Sequence, residues 1–138
     1  MTLFAHTDGA SRGNPGESGI GIIFRDELGN VVYSGGGYIG TATNNIAEYQ
    51  ALLACLRKAL TMQCAHLIVH SDSQLMVRQM CGQYRVKDKM LQTFHQEAAR
   101  ILRQAQFTFK ILHVDREENS DADLLANTGI DSRLPLQL

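Results

Sequence analysis

Near the N-terminus the chain reads Leu3-Phe4-Ala5-His6-Thr7-Asp8, followed by Gly9-Ala10-Ser11-Arg12-Gly13-Asn14-Pro15-Gly16. The first part of this stretch predicts a buried strand over residues 2–8, and its glycines and proline predict a loop after it. The strand ends on a carboxylate, where a buried strand would favour valine. A buried acid at this position needs a partner or a ligand.

The rest of the chain predicts further strands around this one. Residues 18–26 and 31–39 form a hairpin, because a Gly/Asn turn signal at 27–30 separates them. An uninterrupted apolar run within 65–71 indicates a central strand that is covered on both faces and runs parallel to the first strand. A fifth strand at 107–113 has one mainly apolar face.

Apolar residues spaced by three and four predict the helices. They indicate helices over about 44–61, 73–81 and 88–104. Ser120 is expected to cap a final helix that Gly129 ends. The order βββαβααβα predicts an α/β fold, with a mixed five-stranded sheet and helices on its faces.

Length and composition place the chain among ordinary globular proteins. Its 138 residues, 44% hydrophobic and 20% charged, suffice for one domain, expected over 1–130, with a tail over 131–138. The formal net charge of −1 excludes the global basic field of a tight, nonspecific DNA binder. A polyanionic partner must therefore be held locally, by metal ions and a small basic patch.

The cysteines and the apolar runs bear on the cell compartment. Cys55, Cys64 and Cys81 are odd in number and lack Cys-x-x-Cys spacing, so we expect buried free thiols and neither a disulfide framework nor a zinc site. No apolar run reaches the length of a membrane span, and the N-terminus lacks secretory-signal features. We expect a cytoplasmic monomer with no membrane association and no obligate protein partner.

Four acids fall near the ends of predicted elements: Asp8, Glu48 in the first turn of a helix, Asp72 after the fourth strand, and Asp123 in the last helix. Taken singly, Asp8 could begin a turn and Asp72 could cap a helix. Asp123 could interact favourably with the positive end of the dipole of the last helix. Glu48 is different, because it heads an otherwise apolar helical row that continues through Leu52, Cys55 and Ala59.

Taken together, the acids predict a metal site. Asp8 and Asp72 follow adjacent parallel strands, and ligands of open sheets bind beyond the carboxyl ends of such strands. Carboxylates this close repel each other unless cations lie between them. Two Mg²⁺ ions roughly 4 Å apart would restore the ionised carboxylates and clamp a phosphodiester for hydrolysis by water.

The neighbouring loops offer contacts for a nucleic acid. The glycines of 9–16 allow close approach to a sugar-phosphate chain, and Asn14 provides both a donor and an acceptor. Thr43-Asn44-Asn45 opens a helix whose free N–H groups attract phosphate, and short polar side chains suit a shallow minor groove with 2′-hydroxyls. Ordinary helix capping is the alternative for these three residues.

The motifs resemble those of the type 1 ribonuclease H family, which cuts the RNA strand of RNA/DNA hybrids. The resemblance covers about residues 2–128. It rests on four motifs in the family's order, namely Asp8 to Gly16, Thr43 to Glu48, Ser71-Asp72-Ser73-Gln74, and Arg116-Glu117-Glu118-Asn119 followed by Ala122 to Asn127.

The resemblance implies an RNase H-like fold and a set of site residues. Asp8, Glu48, Asp72 and Asp123 would be catalytic and hold two Mg²⁺ ions, for which Mn²⁺ could substitute. The family's last metal ligand follows an asparagine by four residues, so the resemblance implies Asp123, four after Asn119, and not Asp121. Hydrolysis would leave 5′-phosphate and 3′-hydroxyl ends. The implied substrate-binding residues are Gly9, Ser11, Arg12, Gly13, Asn14, Thr43, Asn44, Asn45, Ser73, Gln74 and Arg116.

Two features of the resemblance stay open. His113 matches the spacing of a histidine that aids product departure in some relatives, yet it also continues the apolar face of a strand; Arg116 could serve in its place. The basic, Trp-rich handle of some relatives is missing. Its place is taken by a short link with a basic cluster that either contacts the DNA strand or is a solvated turn: Arg78, Arg85, Lys87 and Lys89, beside Tyr84.

Two rival functions remain. A DNA-cutting core, such as a junction resolvase or a transposase-like nuclease, would gather carboxylates in the same way, but the asparagine set favours a reader of 2′-hydroxyls. A noncatalytic nucleic-acid-binding module would have no use for four repelling carboxylates. The sequence therefore favours a hybrid-specific ribonuclease.

Overall fold

The structure, a computed structural model, describes residues 1–138. Its five strands form one sheet in the order β3-β2-β1-β4-β5, and the predicted order βββαβααβα is confirmed. The elements are β1 (Thr2–Gly13), β2 (Gly16–Arg25), β3 (Val31–Ala42), α1 (Asn44–Thr61), β4 (His66–Ser71), α2 (Gln74–Met80), α3 (Lys89–Gln104), β5 (Thr108–His113), a 3-10 turn (Arg116–Asn119) and α4 (Ser120–Ser132).

Strand β1 is longer than the sequence predicts. It continues past Asp8 because residues 9–13 pair antiparallel with the start of β2, up to Gly13 opposite Gly16. The parallel pairing of β1 with β4 stops earlier, at Thr7 opposite Ser71. Asp8 is therefore the first residue beyond the parallel ladder, although it lies inside a strand.

Helices cover the two faces of the sheet unequally. Helix α1 packs on one face, and α4 packs on the other against β1, β2 and β3. The prediction that β4 is covered on both faces is wrong: His66 is exposed, and Ile68 and His70 are only half-buried. The reason is that α4 does not extend over β4.

Both predicted ends of α4 are wrong. Ser120 is its first residue, not its cap, and the preceding Asn119 makes no side-chain capping bond. Gly129 lies inside the helix, where it allows close contact with β3: a Cβ at this position would lie 2.4 Å from the backbone nitrogen of Gly37. The helix ends instead at Arg133, which adopts a left-handed conformation with φ of 57°.

The last residues cover the outer side of β3. The backbone N–H of Tyr38 donates to the carbonyl of Leu134 at 2.8 Å, and the Tyr33 hydroxyl donates to the carbonyl of Gln137 at 2.6 Å. Between them, Leu136 packs against Gly37, where any side chain would collide with it. The tail thus covers an apolar surface and occupies the edge of the sheet.

The cysteines differ from the prediction in burial. All three are free, but only Cys55 is buried; Cys64 is half-buried and Cys81 is exposed. Cys81 lies at the surface because it ends α2, where the chain turns into the link before α3.

None of the helices combines the length and the apolar character needed to cross a bilayer.

Candidate active site

Four carboxylates from four elements meet at the end of the parallel strands. Asp8 lies on β1, Glu48 on α1, Asp72 directly after β4 and Asp123 on α4. Oxygen atoms of Asp8, Glu48 and Asp72 all lie within 4.8 Å of one another. Asp123 lines the same cavity as these three acids, and its interaction with Asp8 contributes to the raised pKa of Asp8.

The group lines an open cavity of about 460 Å³. Nine of the ten lining residues are not hydrophobic: besides the four acids they are Gly9, Ser11, Asn44, Arg116 and Asn127, and the tenth is Ala10. A larger cavity of about 710 Å³, lined by Met1, Cys64 and Phe107 among others, contains no acidic residue. The acidic and polar lining of the smaller cavity, and not the volume of the larger one, therefore identifies the candidate site.

Close contact between β1 and α1 positions Glu48. Glu48 begins the second turn of α1, not the first as predicted, and the backbone N–H of Gly9 donates to its Oε1 at 2.8 Å. A Cβ on Gly9 would lie 2.2 Å from the carbonyl carbon of Ala47, so only glycine permits this approach. Thr43 fixes the start of the helix by accepting from the N–H of Ile46.

Asp72 is left free by a neighbouring serine. Ser73, not Asp72, caps α2, because its hydroxyl accepts the N–H of Met76 at 3.2 Å. The N–H of Ser73 in turn donates to the hydroxyl of Ser71. The capping explanation for Asp72 therefore fails, and its carboxylate faces Asp8 and Glu48.

Two asparagines fix Asp123. Asn119 is almost fully buried, and its side-chain N–H donates to the carbonyl of Thr7 at 2.8 Å, which ties the start of α4 to β1 beside Asp8. Asn127 donates to the carboxylate of Asp123 at 3.3 Å from one turn further along the helix. The sequence analysis assigned no role to Asn127; its spacing of four residues from Asp123 was the available signal.

The carboxylates are held against their own repulsion. Burial, followed by repulsion from Glu48 and Asp72, raises the pKa of Asp8 well above its ordinary range. Burial and the charge of Asp72 raise the pKa of Glu48 to about 8, although the N–H of Gly9 and the guanidinium of Arg116 act in the opposite direction. A divalent cation among the oxygens would relieve this repulsion, so the donor set fits a hard metal ion.

The residues expected to bind substrate surround the acids at different distances. Gly9, Ser11, Asn44 and Arg116 line the cavity itself. Asn45 lines an adjoining cavity together with residues of the α2–α3 link. The others do not line the cavity of the acids: Gly13, Asn14, Thr43, Ser73, Gln74 and Arg12.

Charged neighbours of the site are partly engaged in ion pairs. Arg12 pairs with Asp131 of α4 at 2.6 Å, so its guanidinium is not free in this structure. Asp121 pairs with Arg25 at 2.7 Å and lies outside the cavity. His113 is exposed at the end of β5 and does not line the cavity, whereas Arg116 does.

The α2–α3 link carries an aromatic–cation contact. The guanidinium of Arg78 lies 5.1 Å from the ring centre of Tyr84 and donates to its hydroxyl at 2.6 Å. Tyr84, Arg85 and Lys87 line the same cavity as Asn45. The basic cluster of the link therefore adjoins the predicted substrate surface.

Known proteins resemble this chain in sequence and in fold. Residues 6–129 match the family described as Reverse transcriptase-like. A ribonuclease HI of Halobacterium salinarum is 39% identical over 129 residues, covering 94% of this chain and 64% of that protein. A bifunctional protein of Mycobacterium tuberculosis is 35% identical over 136 residues, covering 96% of this chain and 36% of that protein. The chain thus spans less than two thirds of the length of both relatives.

A solved structure has the same fold. LC11 ribonuclease H1, determined in complex with an RNA/DNA hybrid, matches with a TM-score of 0.90 and 38% sequence identity. The match covers 94% of this chain and 97% of that one. The mixed sheet and the helices on both of its faces are therefore those of ribonuclease H1 structures.

Proposed function

This chain belongs to the type 1 ribonuclease H family, and on that premise we propose that it is an endonuclease that hydrolyses the RNA strand of RNA/DNA hybrids. The observation that carries the proposal is the meeting of four carboxylates, from β1, α1, α4 and the end of β4, in one polar cavity. The solved relative in complex with a hybrid supports the choice of substrate.

The carboxylates are the residues that would hold the metal. Asp8, Glu48, Asp72 and Asp123 present oxygen donors, which Mg²⁺ and Mn²⁺ favour. When bound, two such ions supply Lewis-acid activation of a water and neutralise charge on the phosphate. The proposed products are a 5′-phosphate and a 3′-hydroxyl.

The chain's own groups would orient the substrate. Asn44 and Asn45 lie at the N-terminus of α1, where backbone N–H groups and the helix dipole favour phosphate and short amides suit 2′-hydroxyls. Asn14 lies beside them, and its side-chain oxygen accepts the N–H of Asn44 at 3.1 Å. Arg116 offers a cation at the cavity wall to a phosphate of the RNA strand.

A cleavage assay on three matched duplexes tests the proposal. With Mg²⁺ present, we expect the protein to cut the RNA strand of the RNA/DNA hybrid and not to cut duplex DNA of the same sequence. Duplex RNA of the same sequence is the third substrate. A chelator should abolish the activity. Preferential cutting of duplex DNA would instead favour a DNA-cutting nuclease, and binding of the hybrid without cutting in any metal would favour a noncatalytic module.

Divalent metal should stabilise the protein more at high pH than at low pH. Because the folded pKa values of Asp8 and Glu48 are raised, stability without metal is greatest below their ordinary pKa values and falls as pH rises through the folded ones. Metal binds the ionised form, so the Mg²⁺-induced rise in Tm should be larger at about pH 8.5 than at about pH 6. Differential scanning fluorimetry with Mg²⁺ and with chelator measures it.

The control for this experiment is the Asp8→Asn variant, in which the metal-induced rise in Tm should shrink at both pH values. A metal effect that is equal at the two pH values, or larger at the lower one, would contradict the coupling between ionisation and metal binding.

Arg116, rather than His113, should be the basic residue that assists the reaction. Arg116→Ala should lower kcat by about 100-fold, because a charge that meets the phosphate is lost from the cavity wall. His113→Ala should change kcat by less than about 2-fold, because that ring lies outside the cavity. Steady-state kcat values on the same hybrid compare the two, because they include product release. The reverse ranking would assign the role to His113.

A further inference from the structure

Two serines of the β1–β2 pair converge on one carbonyl group. Ser11 and Ser18 lie directly opposite each other on the two strands. The Ser11 hydroxyl lies 2.9 Å from the carbonyl oxygen of Ala42, and the Ser18 hydroxyl lies 3.1 Å from the same oxygen. Ala42 ends β3 and immediately precedes Thr43, the cap of α1. The two hydroxyls therefore hold the point where the chain passes from the sheet into α1.

The same hydroxyls reach the turn that carries Asn14. Ser11 contacts the carbonyl of Gly13, and the Ser18 hydroxyl lies 2.8 Å from the carbonyl of Gly16. Each hydroxyl has one proton, so two protons serve three carbonyls, two at the turn and one at Ala42. Ser18 is fully buried, so without its hydroxyl the protein would lose a donor that water does not readily replace.

This arrangement links two parts of the proposed substrate surface. One is the turn with Asn14, and the other is the start of α1 with Asn44 and Asn45. They touch directly through a single bond, from the N–H of Asn44 to the side-chain oxygen of Asn14. The serine pair, of which Ser18 is buried and Ser11 half-buried, fixes the backbone beneath that exposed contact.

We infer that Ser18 is a positioning residue for hybrid binding: together with Ser11 it sets the spacing between the Asn14 turn and the first residues of α1. The inference rests on the proposed function. Ser18 does not line the cavity of the carboxylates. Its loss should therefore weaken binding of the hybrid and leave the metal centre and the chemical step unchanged.

Steady-state kinetics of Ser18→Ala tests the inference. Losing one buried hydrogen bond in the positioning pair should raise KM for the hybrid by about 3- to 10-fold, with kcat within about 2-fold of wild type. The Mg²⁺ concentration for half-maximal activity should not change. Fluorescence anisotropy with a labelled hybrid and a chelator should show the same loss of affinity without turnover.

Three further variants separate positioning from general stability. Ile101→Val removes one methyl from the core on α3, far from the turn, and should lower Tm without changing KM. Ser18→Cys keeps a donor, although a weaker one on a somewhat larger side chain, so it should give a KM between those of wild type and Ser18→Ala. The rise in KM of the double variant, Ser11→Ala with Ser18→Ala, should differ from the combined rises of the two single variants, because both hydroxyls donate to the carbonyl of Ala42.

The outcomes are distinct. If the KM and the hybrid affinity of Ser18→Ala and Ser18→Cys match those of Ile101→Val, or if kcat alone falls, Ser18 is merely structural and the inference is overturned. If wild type binds the hybrid without cutting it, the proposed function fails, while the anisotropy measurement still decides the role of Ser18. If wild type neither binds nor cuts the hybrid, both fail.

Discussion

Asp8→Asn should abolish hybrid cleavage and at the same time stabilise the metal-free protein. Asp8 is the acid on which all three others act, because Glu48, Asp72 and Asp123 each raise its pKa. Replacing its charge with a neutral amide removes a metal ligand that the proposed reaction needs. Because the metal contributes several kcal/mol to such reactions, the rate should fall by at least about 10³-fold.

The gain in stability has the same cause. Near neutral pH a buried acid with a strongly raised pKa must take up a proton on folding, which costs free energy, so the amide should raise Tm in chelator. Single-turnover cleavage and thermal unfolding measure the two effects on one sample. Affinity for the hybrid in chelator should stay close to that of wild type.

Asp121→Asn is the matched control for Asp8→Asn. It makes the same change on α4 at an exposed position that pairs with Arg25 outside the cavity. Its activity should stay within about 2-fold of wild type, since exposed ion pairs contribute little. Activity retained in Asp8→Asn, or lost in Asp121→Asn, would show that the metal ligands are assigned wrongly.

Gly9→Ala should lose both stability and activity, although it adds a single methyl group. The added Cβ would lie 2.2 Å from the carbonyl carbon of Ala47 and 2.3 Å from the nitrogen of Glu48, so α1 must move away from β1. Both neighbours are backbone atoms, which no side-chain rotation relieves. We expect a loss of about 3 kcal/mol in the free energy of unfolding, measured by urea denaturation.

Any folded Gly9→Ala protein should also cut the hybrid poorly. Moving α1 displaces Glu48 and breaks its 2.8 Å bond from the N–H of Gly9. Displacing a catalytic group by about 1 Å costs roughly 100-fold in rate. The effect therefore reaches the chemistry without altering any of the four carboxylates.

Gly29→Ala provides the comparison for Gly9→Ala. Gly29 adopts a left-handed φ of 84° in the β2–β3 turn, and a Cβ there meets nothing within 4 Å. Its cost should be about 1–2 kcal/mol, from backbone conformation alone, with full activity retained. Equal behaviour of the two variants would mean that the contact between β1 and α1 is unimportant.

Local patterns predicted the existence and type of the five strands and the four α-helices, and long-range contacts explain the errors. Residues 9–13 look like a loop because glycine and polar residues dominate, but the ladder bonds that make them a strand come from β2. Gly129 looks like a helix end, yet its missing side chain serves contact with Gly37. The residues that surround a glycine in the sequence do not show whether the glycine forms a turn or allows two elements to pack closely.

The same distinction applies to the candidate site. Asp8, Glu48 and Asp72 were indicated by strand ends and helix periodicity, because carboxylates are out of place in apolar surroundings, whereas the choice of Asp123 over Asp121 came from the family resemblance. The supporting residues Ser18 and Asn127 gave little signal, because a serine in a strand or an asparagine in a helix is ordinary until its partners in space are known. Spatial neighbours, and not residue type, define such roles.

The tail on β3 matters to anyone who handles the protein in solution. An outer strand with free N–H and C=O groups recruits strands of other molecules and starts aggregation. Here Leu134 bonds to Tyr38 and Leu136 lies over the glycines of β3, so that border is already occupied by the same polypeptide. Affinity tags and fusion partners at this end should therefore be attached after Leu138 through a flexible spacer. Deleting the residues that follow α4 would expose the edge of β3 and promote aggregation.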